Sequence, residues 1–529
     1  MRRPVRLLAL LAAVTACLPV AGAAANPYPV TSTADSTDAG TLRWAIEEAN
    51  ARTGPDSIPI SATGTIELEG PLPTINDDVT IAGPGASSLT VTRSATAPLF
   101  RILEFIGADS TATGLTVSGG FNPAGAGILN ALGSLTLIRV VVSGNEAAKA
   151  GGGVLFVGGG GILSTGPLVL RESFIHDNSV SASGGADESV ASGGGIEATG
   201  PVTIERSTIS ENFVQALAEG GSKAFAEGGG LRLEGGPVTI EESTISGNAV
   251  LAAEGSEWNV TRGGGIQAGG ITLTGSTVTG NSAATNGAAT VEFADGSNLH
   301  HSATTLVRNT IVSDPQGDAD SCDGLAIVSG GFNLDEGHSC LFGKATDQVD
   351  VVPGLDPELK FNGGPTPTHA LFENSLAIDR GDSFGSGVDQ RGLTRPVDLA
   401  TKSNTEGGDG ADIGAFELQA PPVGEPPAPA PIAVTFAASD RTAPNTRIVS
   451  GPARVTFKRH AKFTFNSTEA QSRFECKVDR GRWLVCRSPY KRTVSAGAKH
   501  VFNVRAIDRF GNADPTPARF GWRVKKIGG

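Results

Sequence analysis

Methionine occurs once in 529 residues, tyrosine twice and tryptophan four times. Charged side chains make up 18% of the chain, below the ~25% of ordinary globular proteins. So little methionine beside 72 glycines excludes a helix bundle, whose interior tolerates little glycine. Past the extreme N-terminus there is no run of ~18 apolar residues, which excludes a transmembrane helix. Glycine keeps no strict every-third-residue period, which excludes collagen. The hydrophobic share of 39% is too high for wholesale disorder. What remains is an all-β, turn-dense protein, long enough for two or three domains.

The first 25 residues combine Arg2, Arg3 and Arg6, an apolar stretch over 7–18, and small residues from Ala21 to Ala25. This is the pattern of a secretory signal peptide with cleavage near Ala25. Lipidation at Cys17 is the alternative, although the Leu18-Pro19 that follows is unusually apolar for it. A secreted or extracellular protein, in one reading associated with the cell surface, is therefore expected. After export four cysteines remain in two sequence-local pairs, Cys322 with Cys340 and Cys476 with Cys486. An oxidising compartment makes two disulfides the expectation. Neither pair has the C-x-x-C spacing of a zinc or redox site.

The net charge of −13 conceals a partition. From Asp440 onward there are 20 Lys and Arg against 6 Asp and Glu, whereas 26–439 carries 18 against 48. Between the two regimes, 420–439 begins as the proline-rich stretch Ala420-Pro-Pro-Val-Gly-Glu-Pro-Pro-Ala-Pro-Ala-Pro431, which reads as an extended linker.

The acidic body repeats. Gly-Gly-Gly followed by an aliphatic recurs at 159–162, 193–196, 228–231 and 263–266, with a weaker copy at 125–128. The aliphatics are 34 to 35 residues apart, and each is followed 15 to 17 residues later by an asparagine: Asn145, Asn178, Asn212, Asn248 and Asn281. Short alternating segments such as Pro201-Val-Thr-Ile-Glu205 and Ser207-Thr-Ile-Ser210 show strand and not helical periodicity. Such units stack as coils of a parallel β-helix, because none buries its apolar side alone. Stacking places Ile204, Ile240 and Leu273 in one column, Ile209, Ile245 and Val278 in another, and the asparagines in a ladder at one corner. A propeller is the competing repeat fold, but it needs about four strands per unit.

These motifs resemble the secreted right-handed parallel β-helix proteins of the pectate-lyase-like superfamily. The Gly-Gly-Gly-Ile and Ser-Thr-Ile-Ser-Glu-Asn patterns carry the likeness over about 115–314, and Val30-Thr-Ser-Thr-Ala-Asp35 and Leu72-Pro-Thr-Ile75 match the typical start. Thr41 as N-cap and Leu42, Ala45, Ile46 and Ala49 on one face predict an amphipathic helix lidding the first coil. Asn362-Gly-Gly-Pro365, Asp389-Gln-Arg-Gly392, Arg395-Pro396 and Asp412-Ile-Gly-Ala-Phe-Glu417 resemble a choice-of-anchor Q domain. Ala506-Ile-Asp-Arg-Phe-Gly-Asn512 resembles bacterial immunoglobulin-like or fibronectin-III-like domains. The implied organisation is a signal peptide (1–25), N-terminal cap (26–64), parallel β-helix (65–360), choice-of-anchor Q-like cap (361–419), linker (420–439) and immunoglobulin-like β-sandwich (440–529).

The resemblance admits a polysaccharide lyase or glycoside hydrolase acting on the outer face, but fold alone does not confer activity. In register, Arg171, Glu205 and Glu241 share a column, as do Glu172, Arg206 and Glu242, and Glu197 and Arg232. These read as charge pairs between coils, so no catalytic residue is assigned. Asp314, Asp318, Asp320 and Asp323 crowd one turn and could bind Ca²⁺, but without an EF-hand spacing they read first as a solvated acidic loop; otherwise no cofactor is expected. His300 and His301 point to opposite faces of a strand and read as structural. The segments 146–158, 179–192, 213–227 and 249–262 read as loops forming one rim, with Trp258 placed to stack on a sugar. Arg480, Arg482, Arg487, Lys491 and Arg492 cluster around the second disulfide, either as an anion-binding patch or as a basic face that docks on the chain's own acidic body or simply keeps it soluble. The expected function is a non-enzymatic, monomeric structural or adhesion-type protein binding extracellular polysaccharide or anionic cell-wall polymer, with no specific nucleic acid partner.

Overall fold

A computed structural model of the protein describes residues 26–218, 221–287, 289–420, 443–469, 472–479, 484–486, 488–507 and 514–525. The leader 1–25, the linker from 421 onward, and Arg480, Arg482 and Arg487 lie outside the described residues. Two compact units make up the chain, 1–421 and 422–529.

The first unit is a parallel β-solenoid. Two of its sheets have eleven strands and a third has eight, every neighbour coming from the preceding or following coil. Register converts sequence repetition into stacked side chains: Leu170, Ile204, Ile240 and Leu273 pair in succession, as do Ile175, Ile209, Ile245 and Val278. All eight are fully buried, forming two of the apolar columns of the core. At the start, helix Leu42–Asn50 buries Leu42, Ala45, Ile46 and Ala49, and the Thr41 side chain accepts a hydrogen bond from the Trp44 amide. A disulfide joins Cys322 to Cys340.

Each Gly-Gly-Gly corner needs glycine three times, for different reasons. The first glycine of each triplet has φ between 61° and 66°. The second lies against the next coil: a Cβ on Gly229 would stand 2.3 Å from the Gly264 carbonyl oxygen. The third faces the asparagine column, where a Cβ on Gly230 would lie 2.9 Å from the Asn248 amide. Gly229→Ala is therefore expected to cost about 3 kcal/mol, since backbone on both sides leaves nothing to yield. Gly144→Ala, with φ 65° but open space around it, should cost only about 1 kcal/mol. Urea unfolding of both variants checks this; equal losses would show that close approach between coils is not what requires glycine.

The segments read as a rim of loops are strands. They form a nine-stranded sheet in which the chain runs out along one strand and back along another, as in Phe213–Leu217 and Lys223–Glu227. The resulting fin has its own core of small residues, including Val180, Ala182, Val214, Ala216, Ala224, Ala226, Val250 and Ala252. Period-2 alternation of Ala and Val gives each short strand one apolar face, and small side chains let the two layers close together.

Residues 361–419 run back along the outer face of the second eleven-stranded sheet. Thr208 Oγ1 donates to the Pro367 carbonyl (2.7 Å), Thr244 Oγ1 to Gln390 Oε1 (2.6 Å), and the Ala415 amide to Thr277 Oγ1 (3.0 Å). The strap buries outward positions that would otherwise be wet, so Thr208–Ser210, Thr244–Ser246 and Thr277–Thr279 are buried on both faces. Arg395, 0% exposed, is its anchor. The guanidinium pairs with Glu242 of the solenoid and with Glu417 (2.8 Å), and it donates to the Gly414 carbonyl (2.8 Å). Glu242 thus differs from its column neighbours: Glu172 pairs with the more exposed Arg139 (2.6 Å) and Arg206 (3.2 Å), as expected for charges between coils.

In the second unit, strands Thr446–Ser450, His460–Ser467 and Tyr490–Thr493 form one sheet. Five more strands form another, and a common core holds Phe463, Phe465, Phe502 and Trp522 beside the Cys476–Cys486 disulfide. Phe463 and Phe502 stack with ring centroids 4.0 Å apart.

Candidate functional site

The fin and the eight-stranded sheet meet at the glycine corners, and the pairing of Glu227 on one with Arg232 on the other turns their outer faces toward each other, as two walls of a groove. On the return strands of the fin, side chains align by register. One row runs Phe156, Val190, Phe225, Val260 and Phe293, exposed at its two ends, half-buried at Val190 and Phe225 and buried at Val260, and the row beside it runs Val154, Glu188, Lys223, Trp258 and Val291. Phe156 is 70% exposed, Phe293 51% and Trp258 40%. Trp258 is thus an exposed aromatic on a sheet and not on a loop. On the opposite wall, Glu197, Arg232, Gln267, His300 and Asp323 align in register on successive strands.

Charges close the base of the groove like a zipper. Arg232 Nη1 lies 2.9 Å from Glu197 Oε1, its Nε 3.2 Å from Glu227 Oε2 and its Nη2 3.0 Å from Glu234 Oε1. Arg262 Nη1 lies 3.0 Å from Glu227 Oε1, and its Nε 3.8 Å from Asp295 Oδ2. Burial pushes the Glu197 carboxyl above the usual range even though Arg232 opposes it. Burial also works against the Arg232 charge, but the carboxylates of Glu197, Glu227 and Glu234 more than offset it and hold the guanidinium above its ordinary value. Burial, then the nearby Asp323 carboxylate, raises Asp295. Burial and Arg262 lower His300.

Four carboxylates therefore face two guanidiniums, and a fifth, Asp323, joins Asp295 and His300 at one end. Such a groove repels polyanions and is suited to neutral or cationic ligands. Each arginine already holds carboxylates, so neither is left to clamp an anionic sugar.

Of the four aspartates of the acidic turn, Asp318 accepts from the Thr285 amide (3.3 Å) and Asp314 from Gln316 Nε2 (2.7 Å). Among the described residues only Asp323 of that turn joins a group of potential metal donors, and its companions are Asp295 and His300. His301, on the other face of the strand, is buried, and its Nδ1 lies 3.1 Å from the Ala303 carbonyl oxygen. Asp295 was not legible as a site residue because Gly296-Ser297-Asn298-Leu299 is a degenerate copy of the glycine motif, one coil beyond the recognisable ones. Register makes the equivalence plain, since Ile266 pairs with Leu299.

The five asparagines form a continuous buried column: Nδ2 of each donates to Oδ1 of the next over Asn145, Asn178, Asn212, Asn248 and Asn281, at 2.9–3.0 Å. The column continues to Asn298, whose Oδ1 accepts from Asn281 Nδ2 at 2.8 Å.

In the second unit, Lys491 and Arg492 fall in strand Tyr490–Thr493, and Arg492 is exposed. A separate shallow basic depression is lined by Lys477, Lys499, Arg519, Asn503, Val501 and Asp479. No family model matches the chain, and no curated protein matches it.

Proposed function

We propose that this chain is a secreted or cell-surface, non-enzymatic binding protein that holds an extended neutral polysaccharide along the groove between fin and solenoid. A parallel β-helix fits a polysaccharide-interacting protein. The observation that carries the reading is the aromatic row. Strands stack at ~4.8 Å, so Phe156, Phe225 and Phe293, on alternate coils, recur every ~10 Å. An extended, equatorially linked glycan advances by about that length per two sugars, so every second ring meets an aromatic face. Exposed Phe156, Trp258 and Phe293 beside polar groups mark an interaction site, and the acidic groove floor selects against uronates.

Affinity electrophoresis of the full chain in gels containing soluble neutral or acidic polysaccharides tests this. Retardation by a neutral glycan is expected, weakened at least tenfold in Phe225→Ala/Trp258→Ala. Retardation only by polyanions, or unchanged in that variant, would overturn it. The basic second unit, with Lys491 and Arg492, gives a further contact to anionic wall polymer, predicted to be lost at high salt.

A carbohydrate-active enzyme is the second reading, favoured by the raised Glu197 carboxyl on one wall and Glu227 on the other, both bound to Arg232. Release of reducing or unsaturated ends that disappears in Glu197→Gln would establish it in place of the first.

A further inference from the structure

At one end of the groove three side chains from different strands converge without satisfying one another. Asp295 ends the return strand Val291–Asp295, His300 lies on Leu299–His301, and Asp323 lies on Cys322–Gly324. His300 and Asp323 are direct register partners on the same wall. Potential donor atoms of all three lie within 4.8 Å of one another.

Three observations make the cluster a candidate for a cation. The His300 Nδ1 atom is buried and has no hydrogen-bond partner. Gln267, 4% exposed, is the register partner of His300 on the other side, on the same wall, and its Oε1 is likewise buried without a partner. Asp295 and Asp323 are two carboxylates held near each other, and Arg262 reaches only Asp295, at 3.8 Å. An imidazole nitrogen and two carboxylates make a donor set that a divalent ion would satisfy at once, with an unpartnered buried amide oxygen on the adjoining strand.

We propose that Asp295, His300 and Asp323 bind a divalent transition-metal ion of the zinc class. An imidazole with two carboxylates suits zinc, cobalt or manganese, whereas calcium takes 6–8 oxygen ligands and gains nothing from the histidine. Tetrahedral ligands at ~2.0–2.1 Å from zinc stand about 3.3 Å apart, so small side-chain rotations close the site. Asp323 is fixed for this role by its neighbour Cys322, which is bonded to Cys340 at the end of the eight-stranded sheet. The site is independent of the glycan reading, because metal uptake is measured with no glycan present.

The test is equilibrium dialysis of the untagged full chain against Zn²⁺, with the visible absorption of the Co²⁺ form as a coordination signature. One ion per chain is expected, with uptake weakened at least tenfold in His300→Gln and in Asp323→Asn and the Co²⁺ bands lost. Circular dichroism identifies a variant that fails to fold; Asp323 is exposed, so its variant keeps the test open if His300→Gln does not. His338→Ala, which removes an exposed histidine 3.4 Å from Asp350, should leave uptake unchanged. Absence of stoichiometric Zn²⁺ uptake, uptake surviving both cluster variants, or uptake lost in His338→Ala would overturn the assignment.

Discussion

Asn212→Asp is expected to destabilise the first unit by about 3–5 kcal/mol, more than removal of most single core methyl groups. The exchange is nearly isosteric, so the effect is one of hydrogen-bond polarity. Asn212 is 1% exposed, and its Nδ2 donates to three oxygens: Asn248 Oδ1 at 2.9 Å, Ile175 O at 3.0 Å and Ser210 O at 3.0 Å. Its Oδ1 accepts from the Asn178 side chain (3.0 Å) and from the Asn178 amide (3.1 Å). Aspartate keeps the second set and turns the first into oxygen facing oxygen. A charged carboxylate there is buried among acceptors, and a protonated one offers a single hydrogen to three of them. Asn212→Ala should cost less, about 2–3 kcal/mol, because it deletes partners without creating repulsion. Urea unfolding followed by circular dichroism reads both; an aspartate variant within 1 kcal/mol of the parent would mean that the column is not a stabilising element.

Why the column and the core were legible, while the groove was not, follows from how each is built. A stacked coil repeats its environment, so Ile204, Ile240 and Leu273 recur in sequence because they occupy one place in space. The fin obeys the same physics with weaker signals. Its interior is filled mostly by Ala and Val, and Ala, Ser and Gly in alternation look like a loop when each segment is read alone. Only pairing such as Val180 with Val214 and Val214 with Val250 reveals the sheet. The zipper was half legible: Glu197 and Arg232 share a register, but Glu227 meets Arg232 only across a corner whose angle the glycines set. Groups used once leave no period at all. Nothing near Glu242 announces Arg395, 153 residues away, and nothing near His300 announces that Asp323 falls beside it.

That unrepeated ion cluster carries the other large expectation. Arg395→Met should destabilise the first unit by about 3–5 kcal/mol at pH 8, the cost of stranding buried carboxylates, and by much less at pH 5. Burial opposes the guanidinium charge, but Glu242 and Glu417 outweigh it and hold Arg395 protonated throughout. Burial pushes Glu242 the other way, towards its neutral form with a pKa of about 8 despite Arg395. The arginine does not titrate, so the response to pH belongs to the carboxyls. Asp412, pushed to about 7 by burial and then by Glu417, accepts from the Asp379 amide (2.8 Å) and the Leu418 amide, and no guanidinium pairs with it among the described residues. A folded pKa above the unfolded value means that the folded chain holds the extra proton. The associated stability is complete below about pH 4, the ordinary carboxylate range, and is lost as pH rises through about 7–8. The parent should therefore have a higher urea midpoint at pH 5 than at pH 8. In Arg395→Met the largest opposition to burial at Glu242 and Glu417 is gone, leaving only the Ser386 hydroxyl at Glu242 and the Val397 and Asp412 amides at Glu417, so both pKa values climb further and the same window steepens. A parent more stable at pH 8, or a variant equally impaired at both values, would contradict the account. Either result would mean that the strap is held by its threonine hydrogen bonds and apolar contacts, with the buried charges incidental to its attachment.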